Sequence, residues 1–388
     1  MMIDLPGVGA YTLAEPTVWP VSETPATSRI VYAAAHVVAD PLGDNTPGSP
    51  AAVDWDATLR FRRHLWSHGL RIADAMDTAQ RNMGLDWAAT KELIWRSAAE
   101  ARSFGDPATL VACGAGTDHA PDAADLHTIT AAYAEQLETV QSAGAGVIIM
   151  ASRQLAKVAA GPQDYHQVYG KLFGLADRPV ILHWLGEMFD PQLAGYWGSR
   201  DVDAATESFL ELIHAHASMV DGVKVSLLDE EHEVRLRAAL PEGVKLYTGD
   251  DFNYPSLIKT GSHALLGIFD AIAPAAAAAL QVLDAAEAAC DEAGRDRLLA
   301  SYDEILGPTV PLSRKIFETP TYNYKTGIVF LAWLNGHQDA FAMVNGAQSA
   351  RSLLHLSEVF HLADQAGLLS DQELAVHRMK ALLAVNGL

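Results

Sequence analysis

Cysteine is nearly absent from this chain: Cys113 and Cys290 are the only two among 388 residues. Their separation gives neither a disulfide framework nor a zinc-type spacing, so a reducing cytoplasm is the expected compartment. Basic side chains are scarce as well. Lys and Arg number 27 against 48 Asp and Glu, for a net charge of −21. That balance argues against nucleic acid or an anionic membrane surface as a partner. No long hydrophobic run is present either. The most apolar stretch, around Ala271 to Leu283, is mostly Ala and too short to span a bilayer. The opening Met1-Met2-Ile3-Asp4-Leu5-Pro6 has no basic region followed by an apolar one, so no signal peptide is expected.

What the chain does have is apolar residues, 49% of the total, enough for a large core. Residues 1–29 are rich in Pro, Thr and Glu and read as an irregular leader. Eight short apolar runs follow: Ile30–Ala35, Leu70–Ala75, Thr109–Cys113, Gly146–Ala151, Pro179–Trp184, Gly222–Leu227, Val244–Thr248 and Ala264–Ile268. They are continuous rather than alternating, as parallel strands covered on both faces require. Between them, Asp56–Ser67, Ala88–Arg102, Asp125–Ala143, Asp164–Leu175, Ala204–His216 and Glu230–Ala239 repeat apolar residues at three- and four-residue spacing, the mark of helices. The alternation predicts an α/β chain with a (β/α)8 (TIM) barrel over residues 30–274. Past Pro274 the pattern is helical, giving a C-terminal helical region over 275–388.

One strand carries an anomaly. Asp221-Gly222-Val223-Lys224-Val225-Ser226 sets a single amine among valines. On the inward face of a barrel strand, desolvation lowers a lysine's pKa, and a neutral amine is a nucleophile toward carbonyls. The alternative is a buried Lys paired with a carboxylate in the barrel centre. The next strand ends Thr248-Gly249-Asp250-Asp251.

With these residues the sequence resembles the dihydrodipicolinate synthase / N-acetylneuraminate lyase superfamily of class I aldolases. The carrying segments are Gly222-Val223-Lys224 on the sixth strand and Thr248-Gly249-Asp250-Asp251 on the seventh. Pro255-Ser256-Leu257, Gly261 and Ile268 to Pro274 follow in the family's order, and Pro179–Trp184 resembles the strand before the lysine strand. The likeness covers roughly residues 140–275. It implies that Lys224 is the Schiff-base lysine, that no cofactor is needed and that the protein is a homo-oligomer. The family's catalytic Tyr has no match, and His183 stands in that neighbourhood. Its carboxylate-anchoring Arg is replaced by Glu187 and Met188. Its second-strand Gly-Thr-Thr-Gly-Glu segment is replaced by Ala75-Met76-Asp77-Thr78-Ala79-Gln80-Arg81. The substrate class is therefore left open.

Side chains at the C-terminal ends of barrel strands face one site. An imine-forming enzyme needs an amine, a proton relay and a group that handles a proton at the adjacent carbon. Lys224 is the nucleophile and His183 the acid/base helper in this reading. Asp77, Thr78, Arg153, Glu187, Asp250 and Asp251 are the substrate-binding candidates, Arg153 for an anionic group and the acids for hydroxyls. Capping is the competing role for at least one of Asp250 and Asp251, and Gly114 to Asp118 reads as a tight turn or a small anion-binding turn. The function expected is a carbon–carbon lyase, aldolase or dehydratase acting on a keto acid or carbonyl sugar derivative, with a small-molecule carbonyl substrate as partner. Two alternatives share the fold: a metal-dependent sugar isomerase or epimerase using strand-end Asp, Glu and His, and a non-catalytic ligand-binding barrel. No pair of these candidate ligands shares a helix at a recognisable metal-motif spacing, so no metal is expected.

Overall fold

Eight parallel strands close on themselves, so no strand edge is left unpaired. The computed structural model describes residues 1–20 and 24–388. A hairpin, β1 (Met2–Leu5) and β2 (Gly9–Thr12), precedes the barrel. The barrel strands are β3 (Val31–Ala34), β4 (Arg71–Asp74), β5 (Val111–Ala115), β6 (Gly146–Ile149), β7 (Val180–Leu185), β8 (Val220–Ser226), β9 (Lys245–Thr248) and β10 (His263–Leu266). Each pairs with its neighbours in sequence, and β10 returns to β3. All eight lie where the apolar runs place them, and the expected (β/α)8 barrel is the observed fold.

The period of two along each strand sends alternate side chains inward. Tyr32, Ala34, Ala73, Ala112, Ile148, Ile181, Tyr247 and Leu265 fill the interior in one cluster with Met76 and Met150. Size alternates around this layer. Gly222 makes room for Tyr247, since a Cβ there would stand 2.6 Å from the Tyr247 ring. One step further along, register pairs His183 with Lys224 and Lys224 with Tyr247.

The outer helices explain much of the acidity. Asp54, Asp86, Asp125, Asp201, Asp229, Asp291 and Asp371 each cap a helix N-terminus by accepting backbone N–H groups, with a full capping box at Asp125 and Thr128. A carboxylate there also meets the positive end of the helix dipole.

The leader is the main correction. Residues 1–29 read as irregular, yet Ile3 and Leu5 alternate with exposed neighbours and form β1, with Pro6-Gly7-Val8 turning into β2. The segment is sewn to the far end of the chain: the Tyr11 hydroxyl and the Ala14 N–H donate to Asp364, and the Trp19 indole donates to the Gly367 carbonyl. The C-terminal region holds helices Ala273–Ala288, Glu292–Leu306, Thr309–Ile316, Tyr324–Leu334, Leu353–Gln365 and Gln372–Val385. Helix Tyr324–Leu334 is buried at every position, as its uniformly apolar sequence after Lys325 and Thr326 demands. Among the described residues, no helix is long and apolar enough to cross a membrane.

A buried ion pair ties the first helix, Trp55–Ser67, to the barrel. Arg62 holds both oxygens of Asp74, at 2.8 and 3.1 Å, and donates to the carbonyls of His36 and Thr58, with neither ionic group exposed. Arg62→Met leaves Asp74 buried and unpaired, and is expected to lower unfolding stability by about 3–5 kcal/mol. Arg63→Met, which breaks the half-exposed pair with Glu100, is expected to change it by less than about 1 kcal/mol. Chemical unfolding of the two variants checks the contrast.

Candidate active site

Lys224 projects from the middle of β8 into the barrel and is 8% exposed. Its stem passes Gly249, where a Cβ would lie 2.2 Å from Ser226 Oγ and 3.0 Å from Lys224 Cε. Among the described residues, no hydrogen bond or ion pair holds its amine. Burial lowers the amine's pKa from its ordinary value of 10.5, while Asp77 and Asp251 pull it back up.

Those two carboxylates differ in setting. Asp251 is buried and accepts the Ile268 N–H at 2.8 Å. Burial pushes its pKa up to about 7, against the stabilising Ile268 N–H and the Lys224 charge. Asp77, on the turn Asp77–Ala79 after β4, makes no side-chain hydrogen bond and lines an open cavity of about 370 Å³. Asp250, next to Asp251 in the chain, faces elsewhere. It accepts the Phe252 and Asn253 N–H groups and the Asn253 side-chain amide, all within its own turn. Both Asp250 oxygens are thereby occupied in closing this turn, ahead of helix Tyr254–Lys259, whose N-cap Asn253 makes no side-chain cap bond.

His183 sits beside Lys224 in register, fully buried. Its Nε2 lies 3.4 Å from Ser226 Oγ and its Nδ1 has no partner. Burial, and after it the Lys224 charge, lowers its pKa well below the usual range, so the ring is neutral. Thr78 is buried and shares a 2.7 Å hydrogen bond with the Tyr324 hydroxyl. Arg153, just past β6, lines the same cavity as Asp77 and pairs through Nε with Asp190 at 2.6 Å. Glu187 does not join this group. It is exposed on the loop after β7 and lines a separate cleft with Tyr196 and Arg200. The turn at Gly114 to Asp118 is not an open anion cradle: Gly116 N–H is taken by Gln136, and Asp118 by Arg81.

Two residues absent from the sequence-derived set complete the site, both from the C-terminal region. Tyr324 stacks on Phe317 with ring centroids 4.4 Å apart. Burial, followed by Asp77, pushes its phenol well above the ordinary range. Lys325 reaches the cavity wall, donating to the Tyr322 carbonyl at 3.0 Å and contacting Met83 Sδ at 3.3 Å. Burial brings its amine down to about 8, with Asp77 and Asp190 opposing and Arg153 and Lys224 adding to the fall. The only sequence signal was a Tyr-Lys pair opening an otherwise apolar helix.

A second cavity, of about 290 Å³, lies away from Lys224 and is lined by His64, His68 and His337 with Asp270. His64 and His68 do stand one helical turn apart, a spacing that escapes a search confined to strand ends. Among the described residues, no three His, Cys, Asp or Glu side chains are arranged to hold a metal ion.

The comparisons with known proteins agree with the barrel. The family model described as "Protein of unknown function (DUF993)" matches residues 4–388. No curated protein matches the sequence. Solved structures do match in fold. The 4-hydroxy-tetrahydrodipicolinate synthase of Methylacidiphilum fumariolicum SolV aligns over 91% of this chain and 99% of its own, with a TM-score of 0.63 and 13% identity. Dihydrodipicolinate synthase of Aquifex aeolicus aligns over 88% and 99%, with a TM-score of 0.63 and 13% identity. The Acinetobacter baumannii enzyme, solved as a complex with pyruvate, aligns over 88% and 100%, with a TM-score of 0.61 and 15% identity. At such identity the likeness establishes the fold.

Asp251 gives the site a pH signature. The folded chain keeps the Asp251 proton up to about pH 7, whereas the unfolded chain releases it near 3.8. Between those values the native state binds more protons, so its stability falls as pH rises. Asp251→Asn removes that dependence. The stability of the variant relative to wild type is expected to climb from pH 4 to pH 7 and level off above, as measured by urea unfolding across that range.

Proposed function

We propose that this chain, which belongs to the DUF993 family, is an imine-forming enzyme of the class I aldolase type, cleaving or forming a carbon–carbon bond in a carbonyl compound. The observation that carries the reading is Lys224 itself: a buried amine with no hydrogen-bond or ion-pair partner among the described residues, inside a barrel, near two carboxylates. A lysine kept only for packing would be paired or hydrogen-bonded. The match in fold to dihydrodipicolinate synthases, one of them solved with pyruvate, supports the same chemistry.

The steps assign roles to the residues present. The neutral Lys224 Nζ attacks the carbonyl carbon, and the carbonyl electron pair moves to oxygen. The carbinolamine takes a proton on its hydroxyl and loses water, leaving an iminium. The bond between the α and β carbons then breaks: its electron pair forms the enamine double bond, and the iminium pair moves to nitrogen. The β-hydroxyl gives its proton to a carboxylate, so that the departing fragment leaves as a carbonyl compound. Protonation of the enamine at the α carbon and hydrolysis then release the second carbonyl product and regenerate the amine. Asp251, with a pKa near neutrality, is suited to both giving and taking the proton. The Tyr324 hydroxyl, bonded to Thr78, is a neutral donor for the departing hydroxyl. The reading moves the relay from His183 to these two, because a fully buried imidazole with depressed basicity is a poor proton acceptor. His183 instead positions the lysine strand through Ser226.

The test is trapping. The protein is incubated with a panel of keto acids and keto sugars, reduced with borohydride, and its intact mass and modified peptide are measured. An adduct on the Lys224 peptide is expected, and none in Lys224→Met. No adduct across the panel, with a control aldolase labelled normally, contradicts the reading, and an adduct on Lys325 instead would reassign the nucleophile.

A further inference from the structure

The cavity lined by Asp77, Arg153 and Lys325, two of which act on the charge of Lys224, carries the groups that would select a substrate. Its polar groups fall into spent and unspent sets. Arg81 is spent: Asp118, Gln136 and the Ala75 and Gly114 carbonyls occupy its guanidinium. Asp190 is spent on Arg153 Nε and the Gln192 N–H. Three charged groups remain, beside the neutral side chains of Asn82, Gln192 and Tyr322. Among the described residues, Arg153 makes a hydrogen bond through Nε and none through its terminal nitrogens. Lys325 directs two of its three ammonium protons to the Tyr322 carbonyl and the weak Met83 sulfur acceptor and lies 4.5 Å from the Tyr324 ring centroid, which leaves one proton without a hydrogen-bond acceptor among the described residues. Asp77 carries a carboxylate with no hydrogen-bond donor.

We propose that the substrate is a hydroxylated carbonyl compound ending in an oxyanion, carboxylate or phosphate, which is held by Arg153 and Lys325 while Asp77 accepts a hydroxyl. The proposal rests on the imine reading for the carbonyl end only. Two unspent cationic donors side by side on a concave wall call for an acceptor with several oxygens, and the open fork of an arginine matches a carboxylate or phosphate in two-point contact. A neutral ligand would leave those donors desolvated and unpaired, which disfavours it. Asp77 acts on the charge of both lysines, so a hydroxyl of a substrate engaged by both is within its reach. Lys325 belongs to the C-terminal helical region, so specificity is set by a segment outside the barrel.

Two measurements test this independently. First, calorimetric titration with inorganic phosphate is expected to show binding by wild type that weakens at least about tenfold in Lys325→Met and in Arg153→Gln, the second a half-exposed position that spares the fold. Second, borohydride trapping at Lys224 is compared within matched pairs: acetone against pyruvate, and dihydroxyacetone against dihydroxyacetone phosphate. The anionic member is expected to be trapped about tenfold faster or more, and the ratio to collapse in both variants. Which pair shows the larger ratio identifies carboxylate or phosphate. Equal trapping within both pairs overturns the proposal and leaves the imine reading intact. Phosphate binding that depends on Lys325, with no trapping at all, upholds the anion site and refutes the imine reading. Absence of both, or phosphate binding indifferent to both substitutions, overturns the proposal.

Discussion

An amine held inside a closed barrel without a partner is the constraint on which the rest of this structure depends. Burying an ammonium in a low-dielectric interior is strongly disfavoured, and the usual escapes are an ion pair or loss of the proton. Among the described residues, Lys224 makes no ion pair, and burial lowers its pKa. The barrel gives it an inward position through strand register, clears its path at Gly249 and keeps water from its stem. Its carboxylate neighbours, Asp77 and Asp251, restrain the fall in pKa, and the lysine in turn pulls the Asp251 proton down toward neutrality. Amine and acid are thus brought toward the same pH range, which is what proton transfer between them requires.

The C-terminal helical region has a part in this beyond covering the barrel. Tyr324 and Lys325 enter the mouth from a helix buried on every face, and the hydrogen bond from Tyr324 to Thr78 joins that helix to the turn carrying Asp77. The leader, bonded to Asp364 through Tyr11 of the hairpin and to Gly367 through Trp19 beyond it, braces the C-terminal region from outside. Site chemistry and the packing of the two chain ends are therefore coupled through one set of contacts.

The barrel was legible because parallel strands covered on both faces are written as continuous apolar runs, and helices between them as three- and four-residue repeats. Lys224 was legible for the same reason, as one amine in a run of valines. Asp251 and Asp250 could be listed but not told apart, since neighbouring residues face opposite ways and only the Phe252 and Asn253 contacts reveal which one is taken up by its own turn. Glu187 failed because strand-end position does not fix where a loop side chain points. Tyr324 and Lys325 were out of reach: they lie a hundred residues beyond Lys224, and nothing in local pattern says which helix folds back over the barrel. The hairpin at Met2–Leu5 was readable in principle from its alternation and its Pro-Gly turn, but the composition of the whole leader masked it.

The most direct measurement is the titration of Lys224 itself, followed by NMR on protein with isotope-labelled lysine side chains, with Lys224→Met identifying the resonance. The account expects the Lys224 amine to lose its proton clearly below the ordinary lysine value. A Lys224 that titrates at or above that value would show a charged, structurally satisfied lysine, and would contradict the account at its centre.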